Sequence, residues 1–572
     1  MAADKKENKA LHSFIDGTNS AAYEYLGAHC DKKQNKYVFR AYAPKAERLF
    51  LAGDFNGWKL VTPMQKENGT DIRCVAVDVK EFRPESKYKF VSERGERLCF
   101  EPDPFAFRCE GSPNNASMLY DEKEYKWHDD GWMKYRKKSA HKTAVNVYEL
   151  AAESWAGNAD EGFSGYIKLC EKLCGYVKSM GYTHVALRQV TGTYGCRGKQ
   201  AAGAGLFCPS SLCESPNTLK CFVDRMHEAG VGVIFDMPKI CLLEENSLFD
   251  YNLSDRCVKS ILMSSLCFWI KEYHADGIKL DGCFCNTCGG GKPEQERELT
   301  DNILQEIAKK IADVLLIVDG KDGDEKAFSY VRDLEFTKNV LQYMSQNPAL
   351  RGSVTERINL SDVFGTKRFV PTSLAGTPAE NLSLMDMTFG DYWQKFASAR
   401  AFMTFVYAVH GHKWSFMGNE IAQFKTWEEG RSPEWFLLDY ESHSSFKRFV
   451  RELNFVYLEN KALHMPVICE EACSFADDGN VLCMMYKGRD KSYVGVIVNF
   501  TPQGKYGCKV PVSKGGEYIE LINSDDRAFG GSGASNPNTL EAFEEENGYA
   551  LKLDIGPYGA SVIRRINKSN NN

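Results

Sequence analysis

The chain has 572 residues, 43% of them hydrophobic and 26% charged, with a formal net charge of −6. This length predicts two to four domains, and the composition is that of a folded globular protein rather than a disordered one. The mild negative charge speaks against nucleic acid or an anionic membrane as partner. The start MAADKKENKALHSF lacks an apolar leader and no run of about 18 apolar residues offers a membrane span, so a cytoplasmic protein is expected.

In chain order, the first 130 residues alternate apolar and polar positions between turn residues, as in KYVFRAYAPKAERLFLAGDFNGW, RCVAVDV and KYKFVSE. Period two with Pro, Gly and Asn punctuation predicts an antiparallel β-sandwich over 1–135. From about Ala144 the rhythm changes. VNVYEL, HVALRQV, VGVIFDM, GIKLD and VLLIVD are short apolar strands separated by amphipathic stretches such as NTLKCFVDRMHEAG. Strands alternating with helices predict a parallel sheet. Five or more such units favour a closed (β/α)₈ TIM barrel over an open doubly wound sheet, and no G-x-G-x-x-G opens a helix. The barrel is expected over 140–462. Strands then return without helices, in CMMYK, YVGVIVNF, CKVPV and YIELI, which predicts a C-terminal all-β sandwich over 465–572.

Twenty cysteines are many for a reducing compartment, and they are scattered rather than clustered. Most are expected to be buried reduced thiols, with Cys170 and Cys174 one helical turn apart on a core face. Cys196, Cys208, Cys213 and Cys241 follow the second and third predicted barrel strands, and Cys283, Cys285 and Cys288 follow GIKLD. A C-x-C-x₂-C group joined by Cys241 leaves a zinc or redox role open. No CxxC pair repeats at zinc-ribbon spacing, so neither metal nor cofactor is predicted.

Several longer stretches carry a family resemblance. AYEYLGAH, RAYAPKAERLFLAGDFNGW and DPFAF resemble carbohydrate-binding module family 48. VNVYELAAESW, MGYTHVALRQV, FWIKEYHADGIKLD, DYWQKFASARAFM, FMGNEIAQFKTWEEGRSPEWFLLDY and LINSDDRAFGGSG resemble, in order and spacing, the glycogen (1,4-α-glucan) branching enzymes of glycoside hydrolase family 13. The resemblance implies cleavage of an α-1,4 glucan through a covalent intermediate and transfer to a 6-hydroxyl. That retaining chemistry needs a carboxylate nucleophile and a carboxylic acid about 5–5.5 Å apart.

Carried over residue by residue, the resemblance makes Asp281 the nucleophile and Asp319 the acid, where the family has glutamate. Lys279 replaces an arginine beside the nucleophile, losing the planar fork that grips a carboxylate. Leu374 and Ala375 occupy the positions of a histidine–aspartate pair, the third carboxylate of the family. Asp236 is kept, the histidine expected after it is missing from FDMPKICLL, Ala151 replaces a rim histidine, and GKQAAGAGL lacks the tyrosine platform. Each such loss costs about 10²–10⁴-fold in rate. The expectation is a catalytically impaired or inactive glucan-binding pseudoenzyme that works beside an active branching enzyme or another protein of glycogen metabolism. The alternatives are an active enzyme with a substitute acid, from Asp322, Asp324, Glu325 or Glu380, and a thiol or metal role on the same face. Trp58 in GDFNGW and Trp427 and Trp435 in TWEEGRSPEW are candidate platforms for glucose rings, against simple packing.

Overall fold

The computed structural model describes residues 2–67, 69–83, 85–95, 97–111, 114–121, 125–139, 141–156, 165–192, 206–210, 212–237, 240–241, 254–280, 285–286, 293–320, 329–350, 367–377, 381–467, 473–476, 479–546 and 548–566. Eight parallel strands close into a barrel in sequence order. They are β1 (Asn146–Ala151), β2 (His184–Arg188), β3 (Gly232–Met237), β4 (Gly277–Leu280), β5 (Leu315–Gly320), β6 (Tyr330–Asp333), β7 (Arg368–Pro371) and β8 (His412–Phe416). Every residue of β1, β3, β4, β6 and β7 is buried. Parallel strands covered on both faces read as continuous apolar runs, and the sequence shows such runs.

Sequence choices at the strand ends fix the geometry locally. Gly277 opens β4 where a Cβ would stand 2.9 Å from the Leu315 carbonyl oxygen and 3.1 Å from Ile234, so only glycine lets the strands meet. Ser215 caps the helix Pro216–Glu228 by accepting from the Thr218 amide, with Pro216 preset for the first turn. Asp333 caps Leu334–Ser345, and Asp391 with Gln394 forms a capping box on Tyr392–Ala408.

The chain divides into two compact units. One comprises Met1–Lys138, Gly165–Cys170 and Leu187–Val318; the other comprises Ser139–Ser164, Glu171–Ala186 and Asp319–Asn572. The first unit holds two antiparallel sheets between residues 27 and 118, packed through Phe39, Leu49, Leu51, Tyr88 and Phe90. A helix the sequence reading did not propose, Ala2–Ile15, precedes them and buries Leu11 and Phe14. In the second unit the strands after residue 465 build a nine-stranded sheet whose core includes Val481, Ile497, Val510, Leu551 and Ile563. Among the described residues no helix is long and apolar enough to cross a membrane.

Candidate active site

In the first unit, β3 and β4 lie in parallel register with Asp236 opposite Lys279. Lys279 Nζ donates to both carboxylate oxygens of Asp236, at 2.9 and 3.0 Å, and the two side chains are 5% and 9% exposed as residues. Lys279 is thus held by the carboxylate that stands opposite it on the neighbouring strand. Asp281, one residue past β4, lies outside the described residues, as do Asp322, Asp324, Glu325, Glu380, Cys196, Cys283 and Cys288. Two-residue strands Ile240–Cys241 and Cys285–Asn286 pair in parallel, with Cys241 opposite Asn286 and Cys285 opposite Ile240, so the backbones of these two cysteines are neighbours. No group of three or more metal-ligating side chains occurs among the described residues. Cys170, Cys208, Cys213 and Cys257 are buried thiols, and Cys174 is half-buried. Burial pushes the Cys257 thiol up to about 12, which makes it inert rather than nucleophilic.

The second unit holds Asp319, at the end of β5. Arg332, on β6, donates from Nε to Asp319 Oδ1 at 2.6 Å and from Nη2 to Oδ2 at 2.8 Å, a bidentate pair. Its third nitrogen, Nη1, donates to Glu149 Oε2 on β1 at 2.9 Å, and Trp414 Nε1 on β8 donates to the same oxygen at 2.5 Å. Arg332 and Glu149 are 3% and 2% exposed. Sequence reasoning did not single out Arg332, Glu149 or Trp414. A signal was present, since a charge inside a four- or six-residue apolar strand is almost never buried without a partner.

Beyond β7, Leu374 is buried and its carbonyl accepts from the amide and hydroxyl of Thr377, which closes a turn. Ala375 lines a shallow cleft together with Leu384, Met417, Asn419 and Trp427. Ser383, Gln423 and Lys425 also line it, and among the described residues the lining holds no carboxylate. Ala151 closes β1 as a buried residue.

The three tryptophans separate. Trp435 meets Trp155 and Tyr176 edge-on at 5.8 and 5.7 Å, and Trp427 meets Phe416 edge-on at 5.3 Å, so both are half-buried packing partners. Trp58 differs. It stands at φ +62° in a turn that Asn56 ties to Leu51, Lys59 and Thr62, its indole donates to Asp54 at 3.1 Å, and it remains 37% exposed. A bulky residue at positive φ is held there by its surroundings rather than by preference.

Comparison with known proteins places these pieces. Residues 25–106 match the family model Carbohydrate-binding module 48 (Isoamylase N-terminal domain), and residues 475–566 match Alpha amylase, C-terminal all-beta domain. The 1,4-alpha-glucan branching enzyme GlgB of Aquifex aeolicus (strain VF5) is 32% identical over 97% of this chain and 98% of its own length. The chain belongs to the 1,4-alpha-glucan branching enzyme family. Branching enzyme GlgB 2 of Clostridium perfringens (strain 13 / Type A) is 28% identical over 96% of this chain and 93% of its own. Among solved structures, apo pullulanase from Paenibacillus barengoltzii superposes with a TM-score of 0.69 at 14% identity, over 95% of this chain and 94% of that one. The catalytic module of the glycogen-degrading pneumococcal virulence factor SpuA gives 0.67 at 12%, over 98% and 100%. At those identities the two structures speak for the fold alone. This branching-enzyme homologue therefore carries the family's barrel.

Proposed function

We propose that the chain binds α-glucan, glycogen or a starch-like chain, as a branching-enzyme homologue whose barrel turns over slowly or not at all. The observation that carries this reading is the end of β7, where Leu374 and Ala375 present no hydrogen-bond acceptor to a sugar except backbone. Without the stabilising carboxylate, the charge that develops on the sugar in the transition state meets methyl groups instead of an anion. Asp319 supports the same reading, because both of its oxygens accept from the Arg332 guanidinium, which favours the carboxylate over the proton-carrying acid. The match of residues 25–106 to a carbohydrate-binding module supports glucan as the partner, with Trp58 as its exposed ring. We take the modules as 1–135, 140–462 and 465–572, the place of action as the cytoplasm, and the role as a scaffold beside an active branching enzyme.

The competing reading is a working branching enzyme, with Asp281 as nucleophile and a substitute acid. The intact Asp236–Lys279 pair favours it. Incubation with amylose and detection of the α-1,6 anomeric proton by NMR separates the two, with Asp281→Ala as control. No new linkages, together with co-sedimentation on glycogen, is the expected result. Linkages formed by the parent and lost in Asp281→Ala would overturn the proposal.

A further inference from the structure

Arg332 touches the acid position and two distant strands at once. The guanidinium bonds Asp319 on β5 through two nitrogens and Glu149 on β1 through the third, and its carbon lies 5.3 Å from the Trp414 ring centre on β8. The side chains are nearly closed to water, at 4% for Arg332, 2% for Glu149 and 8% for Asp319. We infer that Arg332 is a positioning residue that holds Asp319 as a fixed anion, making the acid position of this barrel a structural strut instead of a proton donor.

The argument is geometric. A carboxylate offers both oxygens to the flat guanidinium fork, and each N–H finds a lone pair in the plane. A carboxylic acid cannot make that pair, because its O–H would point at a donor that has nothing to accept with. A lysine at 332 would supply the charge without the fork. The residue also explains why side-chain length is not the whole defect at 319. In Asp319→Glu the longer carboxylate meets the same guanidinium, so restoring the family's residue type does not restore a donor while Arg332 remains.

This inference rests on the assignment of Asp319 to the acid position in the proposed function, and the test distinguishes the two. The infrared C=O stretch of a protonated carboxyl is followed from about pH 8 to pH 5, above the ordinary aspartate range, as the difference between the parent and Asp319→Asn. No protonated signal from Asp319 is expected in the parent. In Arg332→Met, a buried carboxyl that has lost its cation takes up a proton, so the signal appears within this range. Arg332→Lys restores the anion only partly. A protonated Asp319 in the parent near pH 7 overturns the inference, and so does a folded Arg332→Met protein with no signal. The parent's titration decides the question even where Arg332→Met does not fold. Branching assays on the same samples complete the separation. Linkages made by the parent, whether or not Asp319→Asn loses them, overturn only the reading of an inactive barrel, while the titration of Asp319 decides the strut.

Discussion

Replacing His227 by glutamine tests the electrostatics of the first unit most directly. His227 sits on the helix Pro216–Glu228 with its side chain closed to solvent, and each ring nitrogen points at a carboxylate. Nδ1 is 2.7 Å from Asp129 Oδ2 and Nε2 is 2.9 Å from Asp276 Oδ2, while Trp132 stacks on the ring at 5.2 Å. With an acceptor on both sides, the doubly protonated imidazolium is the form that satisfies every partner. Burial by itself would lower the imidazole, but the field of Asp276 and the hydrogen bonds to Asp129 and Asp276 outweigh it and raise it to about 9, from 6.5. Asp129 shows the same interaction from the other end: burial would raise it, yet the imidazoles of His227 and His274 hold its carboxyl well below the usual range.

A rise from 6.5 to about 9 at about 1.36 kcal/mol per unit corresponds to about 3 kcal/mol. The folded value lies above the unfolded one, so this stabilisation is complete below about pH 6.5 and fades as the pH rises through 9. Asp129 sets the acid limit, since a depressed carboxyl contributes above its ordinary value and loses that contribution on acidification. Urea unfolding followed by tryptophan fluorescence should therefore show His227→Gln less stable than the parent by about 3 kcal/mol more at pH 6 than at pH 9.5. A difference between the two proteins that is the same at both pH values would refute the imidazolium assignment.

Arg332→Met should cost about 3–5 kcal/mol in thermal unfolding, because two buried carboxylates lose their cation, whereas the triple change Arg332→Met, Glu149→Gln and Asp319→Asn should recover most of that loss. Lys413 is fully buried, with Nζ on the Val409 carbonyl and the rings of Tyr407 and Tyr457, and burial next to Arg368 holds its amine well below the usual range. Lys413→Met should raise stability by about 1–3 kcal/mol at pH 7, and calorimetry should show the gain shrinking toward pH 10, where the unfolded lysine also sheds its proton. Trp58→Ala should weaken retention on glycogen in affinity electrophoresis while the protein keeps a cooperative unfolding transition with a loss of about 1 kcal/mol, typical of a single substitution.

The barrel was legible because its signal is local. VGVIFDM and GIKLD announce parallel strands by composition, and helices such as NTLKCFVDRMHE announce themselves by period and cap. Each motif of the candidate site could be read only within its own strand, as with Asp236 on β3 and Lys279 on β4. Asp319 and Arg332 are 13 positions apart, and Glu149 lies 183 positions from Arg332; no period or spacing links residues that a barrel brings together. For Trp435 the sequence left stacking on glucose and packing both open, and Trp155 and Tyr176 reach it from two separate segments. The helix Ala2–Ile15 was missed for the opposite reason: its apolar face amounts to little more than Leu11 and Phe14, too faint a stripe among lysines and glutamates.

In β6, neighbouring residues carry opposite charges and opposite assignments. Arg332 turns toward β1, β5 and β8, while Asp333 caps the following helix at the Phe336 amide and pairs with Arg368 at 3.1 Å. A strand buried on both faces has no wet side, so hydrophobicity alone does not tell it which residues belong inside. A slip by one position would drive an aspartate against Glu149 and Asp319 and strand an arginine among helix amides. The dipeptide therefore works as a key cut for one insertion. Its two charges, each matched to its own partners, favour this one register of the strand.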